Sequence, residues 1–186
     1  AGNDLLLGSN SGDVITGLAG DDVIYASAGV DQYDGGDGFD LVDYRAADED
    51  GVTVDLSFTG AQDVVSGNLE TLIGIEGLQG SIYADTLEGA SGANTMYGAL
   101  GNDRISDPDG TNYLRGDGGD DSISGGAGFD DANGNMGNDT VSTGAGDDYA
   151  VGGKDNDSLS AGTGGDVVWG NLGNDTQDGG DGNDQV

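Results

Sequence analysis

The chain contains no cysteine and no histidine. Zinc sites built on imidazole or thiolate, iron–sulfur clusters, thiol chemistry and most general-base catalysis therefore lose their usual residues together. Basic side chains are nearly missing as well: 4 Lys and Arg stand against 36 Asp and Glu, a formal net charge of -32 over 186 residues. That balance argues against binding nucleic acid or a polyanionic polymer, with Arg104 and Arg115 the local exceptions. No signal peptide, lipidation motif or apolar run of membrane-spanning length is read in these residues, so no membrane insertion is expected.

A charge of this size opposes a compact state unless something cationic binds. With nitrogen and sulfur ligands excluded, the donors left are carboxylate and carbonyl oxygens, which suit hard cations and calcium above all. Forty glycines beside a single proline, in so acidic a chain, would ordinarily describe a disordered tail. That is the state expected when calcium is absent.

What argues for a fold is a period of nine. From Gly134 the sequence reads GNMGNDTVS, TGAGDDYAV, GGKDNDSLS, AGTGGDVVW, GNLGNDTQD and GGDGNDQV. Each repeat is a glycine-rich turn of six residues followed by a strand of three. The sixth place is Asp4, Asp13, Asp22, Asp31 and Asp40 in a first block. In a second block it is Asp85, Asn94, Asp103, Asn112, Asp121, Asp130, Asp139, Asp148, Asp157, Asp166, Asp175 and Asp184. The eighth place is apolar in nearly every repeat, from Leu6, Ile15 and Ile24 to Leu159 and Val168, with Gln177 the clear exception. Glycine at the first, second and fourth places permits left-handed backbone. Carbonyls and the sixth-place carboxylate can then converge, and parallel strands about 4.8 Å apart bring the oxygens of successive turns within reach of one ion. The chain starts at a third place and stops at an eighth, as a stretch of a longer array would.

GGAGFDDAN from Gly125 and GGDGFDLVD from Gly35 closely resemble the RTX repeat, GGxGxD followed by x, an apolar residue and x. The resemblance covers about four-fifths of the chain. It implies an all-β fold, the parallel β-roll, a solenoid in which two repeats make one coil and residues 18 apart stack. It also implies folding on calcium after type I export. Under that stacking, one edge of the second block holds Asp85, Asp103, Asp121, Asp139, Asp157 and Asp175. The other holds Asn94, Asn112, Asp130, Asp148, Asp166 and Asp184. With Asp4, Asp22 and Asp40, and Asp13 with Asp31, eleven pairs of aspartates are expected to hold calcium. Their ions would bring -32 to about -10, an ordinary surface charge.

Departures from the repeat mark expected weak points. Neutral Asn94 and Asn112 sit consecutively on one edge, and Asp107 and Pro108 stand where glycines belong in the turn between them. Weak or empty sites are expected there. Ser11, Tyr83 and Asp155 replace the fourth-place glycine of the turns ending at Asp13, Asp85 and Asp157.

Residues 44–79 abandon the repeat, dividing the chain into a first block 1–43, an insert and a second block 80–186. Val52, Val54, Leu56 and Phe58 read as one strand of the insert; Leu72, Ile73, Ile75 and Leu78 read as another. An antiparallel excursion or cap over an open coil end is expected. Outward places give one face Ser and Thr and the other Tyr97, Tyr113, Tyr149, Val151, Val167 and Trp169. The Tyr149/Trp169 face is expected to pack on the insert, on another part of a larger protein, or in self-assembly.

No catalytic constellation is found, so no enzyme is expected. Two roles remain open: a calcium-stiffened stalk, adhesin or surface-layer element of a secreted or cell-surface protein, or the secretion and folding module behind a hydrolase or toxin domain.

Overall fold

In a computed structural model, residues 2–47, 50–65 and 67–186 are described. Among them there is no helix, and none therefore long and apolar enough to cross a membrane. The chain winds as a parallel β-solenoid with two walls. One wall is a single nine-stranded sheet running the length of the chain: Leu5–Leu7, Val23–Tyr25, Leu41–Asp43, Gly77–Gln79, Thr95–Leu100, Asn112–Gly118, Asp130–Met136, Tyr149–Lys154 and Val167–Leu172. Apart from the step from Leu41–Asp43 to Gly77–Gln79, successive strands pair 18 residues apart, as in Leu6 with Ile24 and Ala150 with Val168.

The facing wall comes in two sheets. Toward the N-terminus it holds Val14–Ala19, Asp31–Asp37, Asn68–Ile73 and Gln62–Val65; toward the C-terminus it runs from Thr53–Asp55 through Thr86–Glu88 to Thr176–Asp178. The insert separates the blocks in sequence and joins them in space. Leu41 pairs with Gly77, so the long wall passes through the insert uninterrupted. Asn68–Ile73 adds to the first block, Asp31 facing Glu70, while Thr53–Asp55 adds to the second, Val54 facing Leu87.

Two strand assignments need correction. The expected strand over 72–78 is two strands, Asn68–Ile73 and Gly77–Gln79, because Gly74 takes a left-handed φ of 58° and turns the chain from one wall to the other. The alternation at 52–58 gives strand only over Thr53–Asp55; Asp55 Oδ1 then accepts hydrogen bonds from Ser57 N and Oγ and closes a turn. The antiparallel pairing is confined to Gln62–Val65 against Asn68–Ile73, and these strands extend a wall instead of capping a coil.

Between the walls lies an apolar stripe made largely of eighth-place residues: Ile24, Tyr33, Val42, Leu87, Met96, Ile105, Leu114, Ile123, Val141, Leu159 and Val168 are buried, and Val54, Leu72 and Leu78 of the insert join them. Their burial supplies the apolar driving force of the coil. Gln177, at an inward place, is exposed because the last strand has a neighbour on one side only, and its Oε1 accepts from Gly170 N at 3.1 Å.

Candidate metal sites

The sixth-place residues form hydrogen-bonded rows along the corners of the roll. Within each block Oδ1 of an aspartate accepts the backbone N–H of the sixth-place residue one coil earlier, and Asp85 Oδ1, at the start of its row, accepts Val52 N at 2.7 Å. Along the facing wall, Asp85 N donates to Asp103, Asp103 to Asp121, Asp121 to Asp139, Asp139 to Asp157 and Asp157 to Asp175, at 2.8–3.0 Å. Along the long wall, Asp130 N donates to Asp148, Asp148 to Asp166 and Asp166 to Asp184, at 2.8–3.1 Å. In the first block Asp4 N donates to Asp22, Asp22 to Asp40 and Asp13 to Asp31. The structure thus brings every sequence-expected aspartate into a row.

The second carboxylate oxygen is the informative one. In Asp22, Asp40, Asp103, Asp121, Asp130, Asp139, Asp148, Asp157 and Asp166, Oδ2 is buried and has no hydrogen-bond partner. Nine orphaned, buried carboxylate oxygens in stacked rows require a cation or a proton. The protein offers no cation: among the described residues the ion pairs are Arg45 with Asp43 and Arg115 with Asp131, both away from the rows. Nor do three acidic side chains converge anywhere among the described residues. Any ion here would take backbone carbonyls as well. Beside the α-carbon of Gly98 the Oδ2 of Asp103 and the carbonyl oxygen of Gly116 converge, and beside Gly17 the Oδ2 of Asp22 and the carbonyl oxygen of Gly35. Oxygen donors of mixed kind with no nitrogen or sulfur fit a hard, irregularly coordinated cation such as calcium.

The second place of the turn decides whether Oδ2 is open. In all nine turns with an orphaned Oδ2 that residue has positive φ, whether glycine or not: Leu18 (80°), Ala99 (81°), Asp117 (71°) and Asn135 (75°) are the non-glycine cases. Where the second place is Ser9, Ser81 or Ala90, the left-handed turn is missing and the N–H swings back onto the sixth-place side chain. Ser9 N then donates to Asp13 Oδ2 at 2.7 Å, Ser81 N to Asp85 Oδ2 at 2.6 Å and Ala90 N to Asn94 Oδ1 at 3.0 Å. Asp31 Oδ2 accepts from Tyr33 Oη at 3.0 Å instead. Asp13, Asp31 and Asp85 therefore have their outer oxygen engaged by the protein itself. Asp4, Asp175 and Asp184 lie in the terminal coils and are less buried.

Two acids that the repeat does not predict extend the rows. Asp40 N donates to Glu76 Oε2 at 3.1 Å, and Asn94 Nδ2 to the Glu76 carbonyl at 3.2 Å, so Glu76 links Asp4, Asp22 and Asp40 to Asn94 and the rest of that edge. Glu70 stacks on Asp31 and is buried, its Oε2 held by Tyr44 Oη at 2.6 Å.

Burial of the carboxylates pushes Asp103, Asp107 and Asp121 up to about 7, and Asp130 and Asp139 up to about 6, in the metal-free chain. An unfolded aspartate titrates near ~3.9. The folded metal-free form therefore binds more protons than the unfolded chain between about pH 4 and 7, and its stability falls as pH rises through that window. The calcium-depleted chain is expected to gain β circular dichroism on acidification from pH 7.5 to about 4.5 and to lose it on return. A depleted chain with no such response would place these carboxyls in water.

The family model of the RTX calcium-binding nonapeptide repeat matches residues 7–42, 74–106, 109–141, 133–168 and 151–186. The chain belongs to this family. RTX matches span both blocks and reach into the insert at residue 74, where Glu76 and Gly77–Gln79 carry the corner row and the long wall onward. No curated protein matches the chain in sequence. The RTX repeat is a calcium-binding repeat, and these nine orphaned oxygens lie within the matched residues.

Proposed function

We propose that this RTX chain is a calcium-dependent structural module of a secreted or cell-surface protein. It stays unfolded where calcium is scarce, leaves the cell through a type I exporter, and folds outside, where it serves as a stalk, adhesin or surface-layer element. The carrying observation is the nine buried Oδ2 atoms without partners in stacked rows. The apolar stripe alone cannot bury those charges, so whatever neutralises them also permits the fold, and ion-binding free energy becomes folding free energy. Bound calcium supplies positive charge and flexible oxygen coordination; the chain supplies the rows, the left-handed second places that keep Oδ2 open, and the carbonyls beside them.

The regularity of the roll supports a structural role over a catalytic one. Blocks 1–43 and 80–186 are read as one roll spliced by 44–79. Contact with other protein is assigned to the outward aromatics of the long wall: Tyr149 and Trp169 are 41% and 48% exposed, their ring centroids are 6.5 Å apart, and Phe129 meets Tyr149 at 5.6 Å. The strands of the insert lie in the walls between the two blocks, whereas Trp169 is on the last strand of the long wall.

Calcium titration followed by heat and by circular dichroism tests the proposal. The two signals should share one midpoint and report several ions per chain. Binding heat with no change in β signal would separate ion uptake from folding and defeat it.

A further inference from the structure

In regular turns the space beside the first-place glycine is bounded by Oδ2 of the aspartate five residues on in the same turn. This holds at Gly17 with Asp22, Gly98 with Asp103, Gly116 with Asp121, Gly125 with Asp130 and Gly134 with Asp139. The turn 89–94 ends in Asn94 and has no such carboxylate. A carboxylate oxygen is nonetheless in that place. It is Oδ2 of Asp107, which comes from the first place of the coil above, 18 residues on: it fills the place a β-carbon on Gly89 would take, and Asn94 Oδ1 is 3.1 Å from that place.

Asp107 is 1% exposed, and its Oδ2 is the tenth buried carboxylate oxygen without a partner. Its other oxygen accepts from Asp109 N at 3.3 Å, which fixes the side chain's direction, and its backbone N–H is held by the Ser124 carbonyl at 2.9 Å. The neighbouring amide cannot do this job. Asn112 Oδ1 accepts from Asn94 N and its Nδ2 donates to the Asp109 carbonyl, so it turns no free oxygen toward the gap. Asn94 Nδ2 is likewise committed to Glu76, and Asn94 Oδ1, which accepts Ala90 N at 3.0 Å, keeps a second lone pair near Asp107 Oδ2. Asp107 Oδ2 itself has no donor, and a buried acceptor so placed needs a cation or a proton.

We propose that Asp107 and Asn94 hold a divalent cation between the coils of Asn94 and Asn112, with Asp107 as a carboxylate ligand donated from the first place of the turn instead of the sixth. This rests on the calcium reading above and reverses the expectation of weak or empty sites at the two asparagines. A carboxylate supplied across the coil keeps one formal charge where two stacked aspartates would place two, and it explains why Asp107 stands buried where the repeat has glycine.

The test is Asp107→Asn in the whole chain, with calcium stoichiometry measured by calorimetry and equilibrium dialysis. The asparagine keeps the shape and can donate to Asn94 Oδ1 as a protonated Asp107 would. Loss of one ion per chain is expected, with the remaining ions and the β spectrum retained. An unchanged ion count in Asp107→Asn would overturn the proposal and assign a proton to the gap. Should Asp107→Asn fail to fold, crystals of the unaltered chain grown in calcium decide by anomalous scattering: a peak between Asp107 Oδ2 and Asn94 Oδ1 supports the site, and none there beside occupied sites at Asp130 and Asp148 overturns it. A chain that bound no calcium anywhere would instead defeat the functional reading on which this one stands.

Discussion

Removing calcium at pH 7.5 is expected to unfold the whole chain, and restoring it to refold the chain. The reason lies in where the charge sits. Thirty-six acidic and four basic residues give -32, and a good part of that charge is stacked in corner rows with the solvent excluded. Each step of a row places a carboxylate one coil from the next. Burying an unpaired carboxylate is expensive enough that it must be protonated or matched by a cation, and at pH 7.5 protons are too dilute even for groups pushed up to about 7. The opposing apolar stripe contributes one buried side chain per repeat, too little to hold such rows together. Small-angle scattering should show the radius of gyration rising from roughly 16 Å for a compact chain toward roughly 46 Å for an unfolded one, and β circular dichroism should vanish. An elongated roll would start somewhat above the compact value. A β spectrum that survives chelation at this pH would show that something other than calcium neutralises the rows.

Much of the roll is legible in the sequence because one short rule is applied many times. The 18-residue spacing of aspartates such as Asp121 and Asp139 sets the strand register, and the apolar eighth place two residues later sets the core. What escapes the sequence is what depends on meeting across space. Glu70 and Glu76 sit in a segment with no nonapeptide, so only the pairing of Asp31 with Glu70 and of Leu41 with Gly77 shows that they extend the rows. The oxygen at Asp31 is taken by Tyr33, an eighth-place residue whose spacing reads as core and whose hydroxyl reaches back to the corner. The engaged oxygens at Asp13 and Asp85 had a signal that the repeat template hides: serine at the second place, where a regular turn needs positive φ. Asp107 reads as a broken turn because a template scores the residue at a position and not the direction of its side chain.

The fold is least forgiving where a fourth-place glycine lies outside the left-handed region that Asp155 takes at φ 77°, and Gly146→Val is expected to break it. Second places take φ of about 70–81° when not glycine, a region that Asn and Asp enter readily; fourth-place Gly146 has φ 151°, in line with 146° at Gly164 and 155° at Gly173. That conformation is close to glycine-only and carries strain of about 1–3 kcal/mol for other residues. Space closes the remaining route. A β-carbon on Gly146 would overlap the carbonyl oxygen of Gly128 one coil below, so the coils must separate just where Asp130, Asp148 and Asp166 stack. In a solenoid whose coils touch only their neighbours, a fault in the middle uncouples both sides. With strain and overlap together a loss of roughly 3 kcal/mol or more is expected, a fall in Tm of about 6–12 °C in saturating calcium for a chain of this size. The matched control is Asn171→Ala. That position is a second place with an exposed side chain and φ 70°, and Ala99 already holds the equivalent place at φ 81°, so the change should shift Tm by no more than about 3 °C, the effect of ~1 kcal/mol. Equal losses at the two positions would mean that turn conformation does not govern the stacking, whereas a large loss at Gly146 alone would locate the requirement in the backbone that keeps successive coils within reach of one ion.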